Sequence, residues 1–201
     1  IYTDVVGALI AAADTAVEIS PEVSRYMGDT TNPQGVFCVA KTLDNSLIID
    51  KINIMGFYGA LEDVQDPGNL GTILRTANAL QIPVALLEGC ADPYSHKVVR
   101  ASMGAVFRRD IYTLTAAELF PLLQRSDLPL YGTALREDTV DAREADLSRC
   151  VIAIGSEGRG LSEGVLAQCD KTLKIPMSDR CESLNAAVAA AVLLWESFRN
   201  Q

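Results

Sequence analysis

From residue 50 onward the sequence alternates short, wholly apolar runs with longer stretches of helical periodicity, and that alternation fixes the class of fold. Strand patterns fall at 52–58, 84–87, 110–112, 130–132, 151–154 and 173–175. Helical patterns lie between them, at 69–80, 95–103 and 116–125, just after Ser162, and at 183–199. Strands that alternate with helices build a parallel sheet with helices on both faces. The expected fold is therefore an α/β domain. Connectivity rules alone predict right-handed, unknotted crossovers. The final helix carries an apolar run, 186–195, that is too short to span a bilayer. Its alanines suit close packing in a core or an interface.

At 201 residues, 49% of them apolar, the chain can form one sizeable domain with a small appendage. Residues 1–45 read as the end of a separate set of elements. Helices are expected at 5–13 and 21–27, strands at 16–19 and 36–41, and a turn-rich stretch at 29–35. Asp44, Asn45 and Ser46 form the expected linker. The first residue is Ile1 rather than Met, which leads us to expect sequence upstream of it. Cys38, Cys90, Cys150, Cys169 and Cys181 are scattered without a Cys-x-x-Cys pair, and His96 is the single histidine. That set predicts reduced thiols in a cytoplasm and no metal site.

Three segments concentrate the polar and glycine chemistry. Residues 66–78, DPGNLGTILRTAN, begin with a turn at Asp66, Pro67 and Gly68. A helix follows, with Asn69 as its expected N-cap and Leu70, Ile73, Leu74 and Ala77 as its apolar stripe. Arg75 lies outside that stripe. Free backbone N–H groups, an amide and a permanent cation come together here, an arrangement suited to a phosphate or another anion. Residues 150–162, CVIAIGSEGRGLS, run from a buried strand into a glycine-rich bend holding Glu157 and Arg159. Residues 173–188, LKIPMSDRCESLNAAV, pass from a strand end through a loop stiffened by Pro176 into the last helix.

In order and spacing these segments resemble the three motifs of the SpoU family of RNA 2′-O-methyltransferases, part of the SPOUT superfamily. The matching residues are Asn69 and Arg75 in the first motif. In the second they are Gly155, Glu157, Gly160, Leu161 and Ser162. The third has Ile175, Pro176 and Met177, then Ser183, Leu184 and Asn185. The resemblance covers residues 50–199. It implies a parallel sheet ending in a C-terminal trefoil knot (the SPOUT fold), preceded by the remnant of a small α/β RNA-binding domain. The chain would then divide into a remnant at 1–45 and a catalytic domain at 46–201. The resemblance further implies S-adenosylmethionine as cofactor, RNA as partner and a homodimer. The implied reaction is 2′-O-methylation of a ribose in structured RNA, with ribosomal RNA favoured over transfer RNA.

By the same resemblance Gly155, Ile175 and Leu184 bind the cofactor, with Thr133 and Met177 as secondary candidates. Arg75, Asn69, Glu157, Ser183 and Asn185 are the catalytic candidates. A ribose hydroxyl is a poor nucleophile at neutral pH and must be aligned with the methyl group and relieved of its proton. Arginine stays protonated, so Arg75 is expected to hold the adjacent phosphate and stabilise alkoxide charge, with action as a general base the less favoured alternative. Asn69 and Asn185 are expected to hold Arg75 or the ribose, and Glu157 to orient the guanidinium. Ser183 is expected to cap the last helix or touch the substrate.

A net charge of −9 weighs against RNA binding, because phosphate contacts ordinarily supply much of the affinity. The basic residues instead gather locally: His96, Lys97 and Arg100, then Arg108 and Arg109, with others in or beside the motifs. Two further readings compete. A dinucleotide-binding oxidoreductase would carry its glycine fingerprint at the first strand–helix turn, whereas Gly155, Gly158 and Gly160 come late and with a different spacing. A knotted RNA-binding protein without activity is the other, and the joint presence of the five catalytic candidates argues against it.

Overall fold

Along each main strand successive side chains enter two different cores, which is what a parallel sheet buried on both faces requires. The computed structural model describes residues 2–28, 35–43, 59–108, 110–136, 139–181 and 183–199. The chain divides into two compact units, Ile1–Thr42 and Leu43–Gln201. Residues 29–34 of the expected turn, the linker at 44–46 and the strand at 52–58 lie outside the described residues. Among the described residues no helix is long and apolar enough to cross a membrane.

The first unit holds α1 (Tyr2–Ala12) and α2 (Pro21–Met27). Ser20 caps α2 by accepting a hydrogen bond from the Val23 N–H at 3.3 Å, and Pro21 occupies the first helical position, where a missing N–H costs nothing. Residues 16–19 and 36–41, expected as strands, are irregular. Extended backbone becomes a strand only when a neighbour takes its polar groups, and the described part of this unit offers none.

The second unit contains β1 (Gly59–Leu61), α3 (Pro67–Ala79), β2 (Val84–Leu86), α4 (His96–Ala101), β3 (Ile111–Thr113), α5 (Ala116–Ser126) and β4 (Leu130–Thr133). It continues with β5 (Val140–Asp141), β6 (Val151–Ile154), α6 (Glu163–Leu166), β7 (Lys171–Lys174) and α7 (Ala186–Arg199). The seven strands form one sheet in the order β3-β2-β1-β6-β4-β7-β5, every pair parallel. Two strands fall outside the sequence patterns: β1 begins directly after the strand expected at 52–58, and the two half-buried residues of β5 are too few to show a period.

Leu61, Val84, Leu86, Ile111, Ile152 and Ile154 point into one core with Leu70, Ile73 and Leu74 of α3 and Ala190, Leu193 and Leu194 of α7. Ala60, Ala85, Tyr112, Leu130, Val151 and Ala153 point the other way, toward Leu119, Leu122 and Leu123 of α5 and Val165 of α6. The chain first steps outward from β1 to β2 and β3, and α5 then carries it past β1 to β4 on the far side. Later β6 enters between β1 and β4. After β7 the chain returns across the sheet, so that α7 packs on α3.

Helix α3 begins two residues earlier than expected, because Asp66 rather than Asn69 is its N-cap. The Asp66 Oδ1 accepts from the Asn69 N–H at 2.7 Å, which frees the Asn69 side chain. The pattern at 95–103 ends early as well. Met103 and Gly104 both take positive φ, 52° and 77°, and a 3-10 turn, Ala105–Phe107, follows.

Helices α3 and α4 meet at Gly71. A Cβ there would lie 2.5 Å from the Ala101 Cβ and 2.9 Å from both the Ser102 N and the Val98 O. Gly71→Ala gains about 1 kcal/mol of helix propensity, but backbone atoms cannot move aside as a flexible side chain would. Overpacking of about 1–3 kcal/mol outweighs that gain, so the substitution is expected to lower the urea midpoint without changing the slope.

Candidate functional site

Strand β1 hands the chain through α3 toward β2, whereas its neighbour β6 hands it through α6 toward β7. Connections that diverge from adjacent parallel strands leave a crevice at the carboxyl ends of those strands. A cavity of about 250 Å³ lies there, and Asp63, Asp66, Asn69, Glu157, Arg159 and Ala186 are among its lining residues.

Three sequence motifs converge on one oxygen in this crevice. The Glu157 Oε1 accepts from the Asn69 Nδ2 at 2.8 Å, the Asn185 Nδ2 at 2.6 Å and the Ala186 N–H at 3.0 Å. The Asn185 Nδ2 also donates to the Asn69 Oδ1 at 3.0 Å. Asn185 is the N-cap of α7, its Oδ1 accepting from the Ala187 and Val188 N–H groups at 3.0 and 3.3 Å. The carboxylate therefore sits against the positive end of a 14-residue helix, where the macrodipole favours negative charge. All three donors use Oε1; Oε2 receives none of them.

The bend that carries Glu157 is closed on itself. Gly155 is buried, and a Cβ on it would lie 2.2 Å from the Gly160 carbonyl carbon. The Gly160 N–H donates to the Ser156 O at 2.9 Å. Two acids that follow β1 tie the bend down. The Glu62 carboxylate accepts from the Ser162 N–H at 2.8 Å and the Ser162 Oγ at 2.7 Å. Asp63 pairs with the Arg159 guanidinium at 2.7 Å. Asp63 has φ +56° and leans on Gly89, where a Cβ would approach its Oδ1 to 2.6 Å. Sequence reasoning missed Glu62 and Asp63. Their signal was local: two acids directly beyond the end of an apolar strand, at the sheet edge where sites form.

Arg75 stands apart from this cluster. It is exposed on α3 and lines a cavity of about 400 Å³ with Thr72, Thr76, Leu80, Ala191 and Trp195. Glu157 is engaged by Asn69, Asn185 and Ala186, so the expected orientation of the Arg75 guanidinium by Glu157 is not observed. Among the described residues Arg75 has no ion-pair partner. A neighbouring cavity of about 510 Å³, with Asn69, Thr72, Asn185, Val192 and Trp195 on its walls, shares Thr72 and Trp195 with the first. The groove between α3 and α7 thus runs from the Glu157 cluster toward Arg75. Ser183 is exposed and does not cap α7; its carbonyl accepts from the Cys181 Sγ at 3.0 Å.

Of the cofactor candidates, Thr133 ends β4, Gly155 follows β6, and Ile175 and Met177 follow β7. Because β4 lies between β6 and β7, these positions share one edge of the sheet. Ile175, Met177 and Leu184 are half-buried, and Ile175 packs against the core that α7 covers.

The fold and its edge cluster define a class, a parallel α/β protein with its polar site at the point where strand connections diverge. Within that class the SpoU rRNA Methylase family model matches residues 57–195, and the chain belongs to that family. An uncharacterized tRNA/rRNA methyltransferase of Synechocystis is 38% identical, over 96% of this chain and 70% of the relative. The 23S rRNA (guanosine(2553)-2′-O)-methyltransferase RlmP of Bacillus subtilis is 29% identical, over 88% of this chain and 70% of that protein. The crystal structure of the AdoMet-bound rRNA methyltransferase from Sinorhizobium meliloti superposes with a TM-score of 0.83 at 31% identity, over 98% of this chain and 77% of that one.

No group of three or more potential metal ligands occurs among the described residues. Burial pushes the thiols of Cys90 and Cys169 up to about 11 and that of Cys150 up to about 12, so they stay protonated and unreactive at neutral pH. Cys38 and Cys181 are exposed. Iodoacetamide at neutral pH is expected to label Cys38 and Cys181 well before the other three, as peptide mass spectrometry would read directly.

Substitutions at Asn185 separate its two jobs. Asn185→Ala removes the cap and a donor to Glu157, and is expected to cost about 1–2 kcal/mol in a denaturant titration. Asn185→Asp keeps the capping oxygen but sets a second carboxylate against Glu157. It too is expected to lose stability, and added salt should restore part of the loss by screening the repulsion.

Proposed function

We propose that this chain transfers a methyl group from S-adenosylmethionine to a ribose 2′-hydroxyl in structured RNA, with ribosomal RNA favoured over transfer RNA. The observation that carries the reading is the convergence of Asn69, Glu157 and Asn185, one from each motif, on a single cluster at the crevice between β1 and β6. The relatives' names as RNA methyltransferases, one of them a 2′-O-methyltransferase, support it.

The edge formed by β6, β4 and β7 suits the cofactor. Gly155 brings bare backbone to the site, while Ile175, Met177 and Leu184 supply apolar surface for adenine and Thr133 a hydroxyl. When bound, S-adenosylmethionine supplies an electrophilic methyl group. The chain's own residues do the rest. Asn69 and Asn185 fix Glu157, whose Oε2 can accept a hydrogen bond from the ribose. Arg75 holds the adjacent phosphate and stabilises negative charge on the attacking oxygen. Its guanidinium keeps its proton, so it acts through charge and geometry rather than as a base, and the hydroxyl proton passes to solvent water as the S–C bond breaks and the O–C bond forms.

The same proposal extends to architecture. The return of α7 to α3 from the far side of the sheet supports a C-terminal trefoil knot. Residues 1–45 are read as the remnant of a small RNA-binding domain and 46–201 as the catalytic domain. Val188, Val192, Trp195 and Phe198 leave 49%, 42%, 55% and 40% of their surface exposed along α7. Such an apolar stripe calls for a partner, and a two-fold dimer would bury it together with part of α3, leaving Arg75 open to the RNA.

Arg75→Ala tests the division of labour. Calorimetry should find S-adenosylmethionine affinity unchanged, while methyl transfer to ribosomal RNA falls by about 10²–10³. Equal loss of both would make Arg75 a cofactor or folding residue. Cofactor binding by the unaltered chain with no transfer to any RNA would favour the inactive RNA-binding reading.

A further inference from the structure

Between Asp92 and Asp110 the sequence contains no acid, but it contains Lys97, Arg100, Arg108 and Arg109. In a chain of net charge −9 this is a sharp local reversal of sign. The structure turns most of it outward. Helix α4 presses Val98 and Ala101 toward α3, with Val98 fully buried and Ala101 against Gly71. Lys97 and Arg100, one turn apart, are exposed, as is Arg108 beyond the 3-10 turn. Among the described residues none of these three cations is in an ion pair, although Arg143, Arg149, Arg159 and Arg199 all are.

An aromatic pair lies within the same stretch. The Tyr94 and Phe107 rings stack with centroids 6.3 Å apart at 28°, and Phe107 leaves 57% of its surface exposed. Unpaired cations beside an exposed aromatic ring are what single-stranded nucleic acid uses, phosphates on the cations and a base on the ring. Unpaired bases are also where RNA can be read, because the major groove of an RNA helix excludes side chains.

We infer that the α4 surface, Lys97, Arg100 and Arg108 with the Tyr94–Phe107 pair, is a docking platform for an unpaired stretch of the RNA substrate. This rests on the methyltransferase reading above. Position supports it. Helix α4 follows the carboxyl end of β2, on the same edge of the sheet as the Glu157 cluster, and it packs directly on the helix that carries Asn69 and Arg75. The platform also answers the charge objection, since RNA needs a cationic track only where it touches.

The test uses the full chain and a fluorescein-labelled hairpin RNA with an unpaired loop. The triple variant Lys97→Ala, Arg100→Ala, Arg108→Ala should weaken RNA binding at least tenfold. It should also flatten the log–log salt dependence by about 2, since each single-strand phosphate contact contributes about 0.7. Phe107→Ala should weaken binding about tenfold with the salt slope unchanged. Both variants should keep wild-type affinity for S-adenosylmethionine, which also reports that they fold. Variants that bind RNA as the unaltered chain does would overturn the platform and leave the methyltransferase reading standing. Failure of the unaltered chain to bind any RNA while it binds the cofactor would overturn both. Light scattering that shows either variant losing an oligomer would make this face a contact between copies, and the proposal would fail.

Discussion

The pairing of β6 on both of its edges is the constraint on which the rest depends. Ile152 and Ala153 pair with Gly59 and Ala60 in β1 on one side and with Tyr131 and Gly132 in β4 on the other. A strand that arrives late in the chain and still takes a central place must leave its following loop in the middle of the sheet edge. That loop is the Gly155–Ser162 bend. With β6 in place, Glu157 comes within reach of Asn69 from β1's connection and of Asn185 from the segment after β7. Had β6 added to an outer edge, the three motifs would be scattered along the sheet.

Little of the bend's placement comes from strong individual bonds. The Asp63–Arg159 pair involves a guanidinium whose side chain is 74% exposed, and such pairs contribute about 0–1 kcal/mol. Its value is geometric. Together with the bonds from Ser162 to Glu62 it fixes the far end of the bend, while the Glu157 cluster fixes the near end. The apolar cores above and below the sheet hold the strands, and the polar tethers decide where the loops point.

Sequence and structure part company at identifiable places and for identifiable reasons. Residues 151–154 were legible as a strand because every side chain is buried and the run is bounded by a glycine. The α3 stripe was legible because Leu70, Ile73, Leu74 and Ala77 repeat at helical spacing and all face the core. The helix start was misplaced by a choice between two good caps, Asp66 and Asn69, which propensity alone does not resolve. Proximity of Asn69, Glu157 and Asn185 followed from the motif resemblance, but their bonding did not. The guanidinium of Arg75 looked like the natural partner for Glu157, yet an asparagine pair and a helix terminus satisfy that carboxylate. Strands expected at 16–19 and 36–41 failed because a local residue pattern says nothing about whether a neighbour is present.

The glycines of the bend differ in what they permit. Gly155 has no space for even one more carbon, so the strand-to-bend transition admits no variation there. Gly158, three residues on, has nothing within 4 Å of where a Cβ would stand and lies in the wall of the crevice. One loop thus joins a locked hinge to an open position. For anyone wishing to reshape the pocket, or attach a reporter to it, residue 158 is the place where a side chain can be introduced while the backbone that holds Glu157 stays as it is.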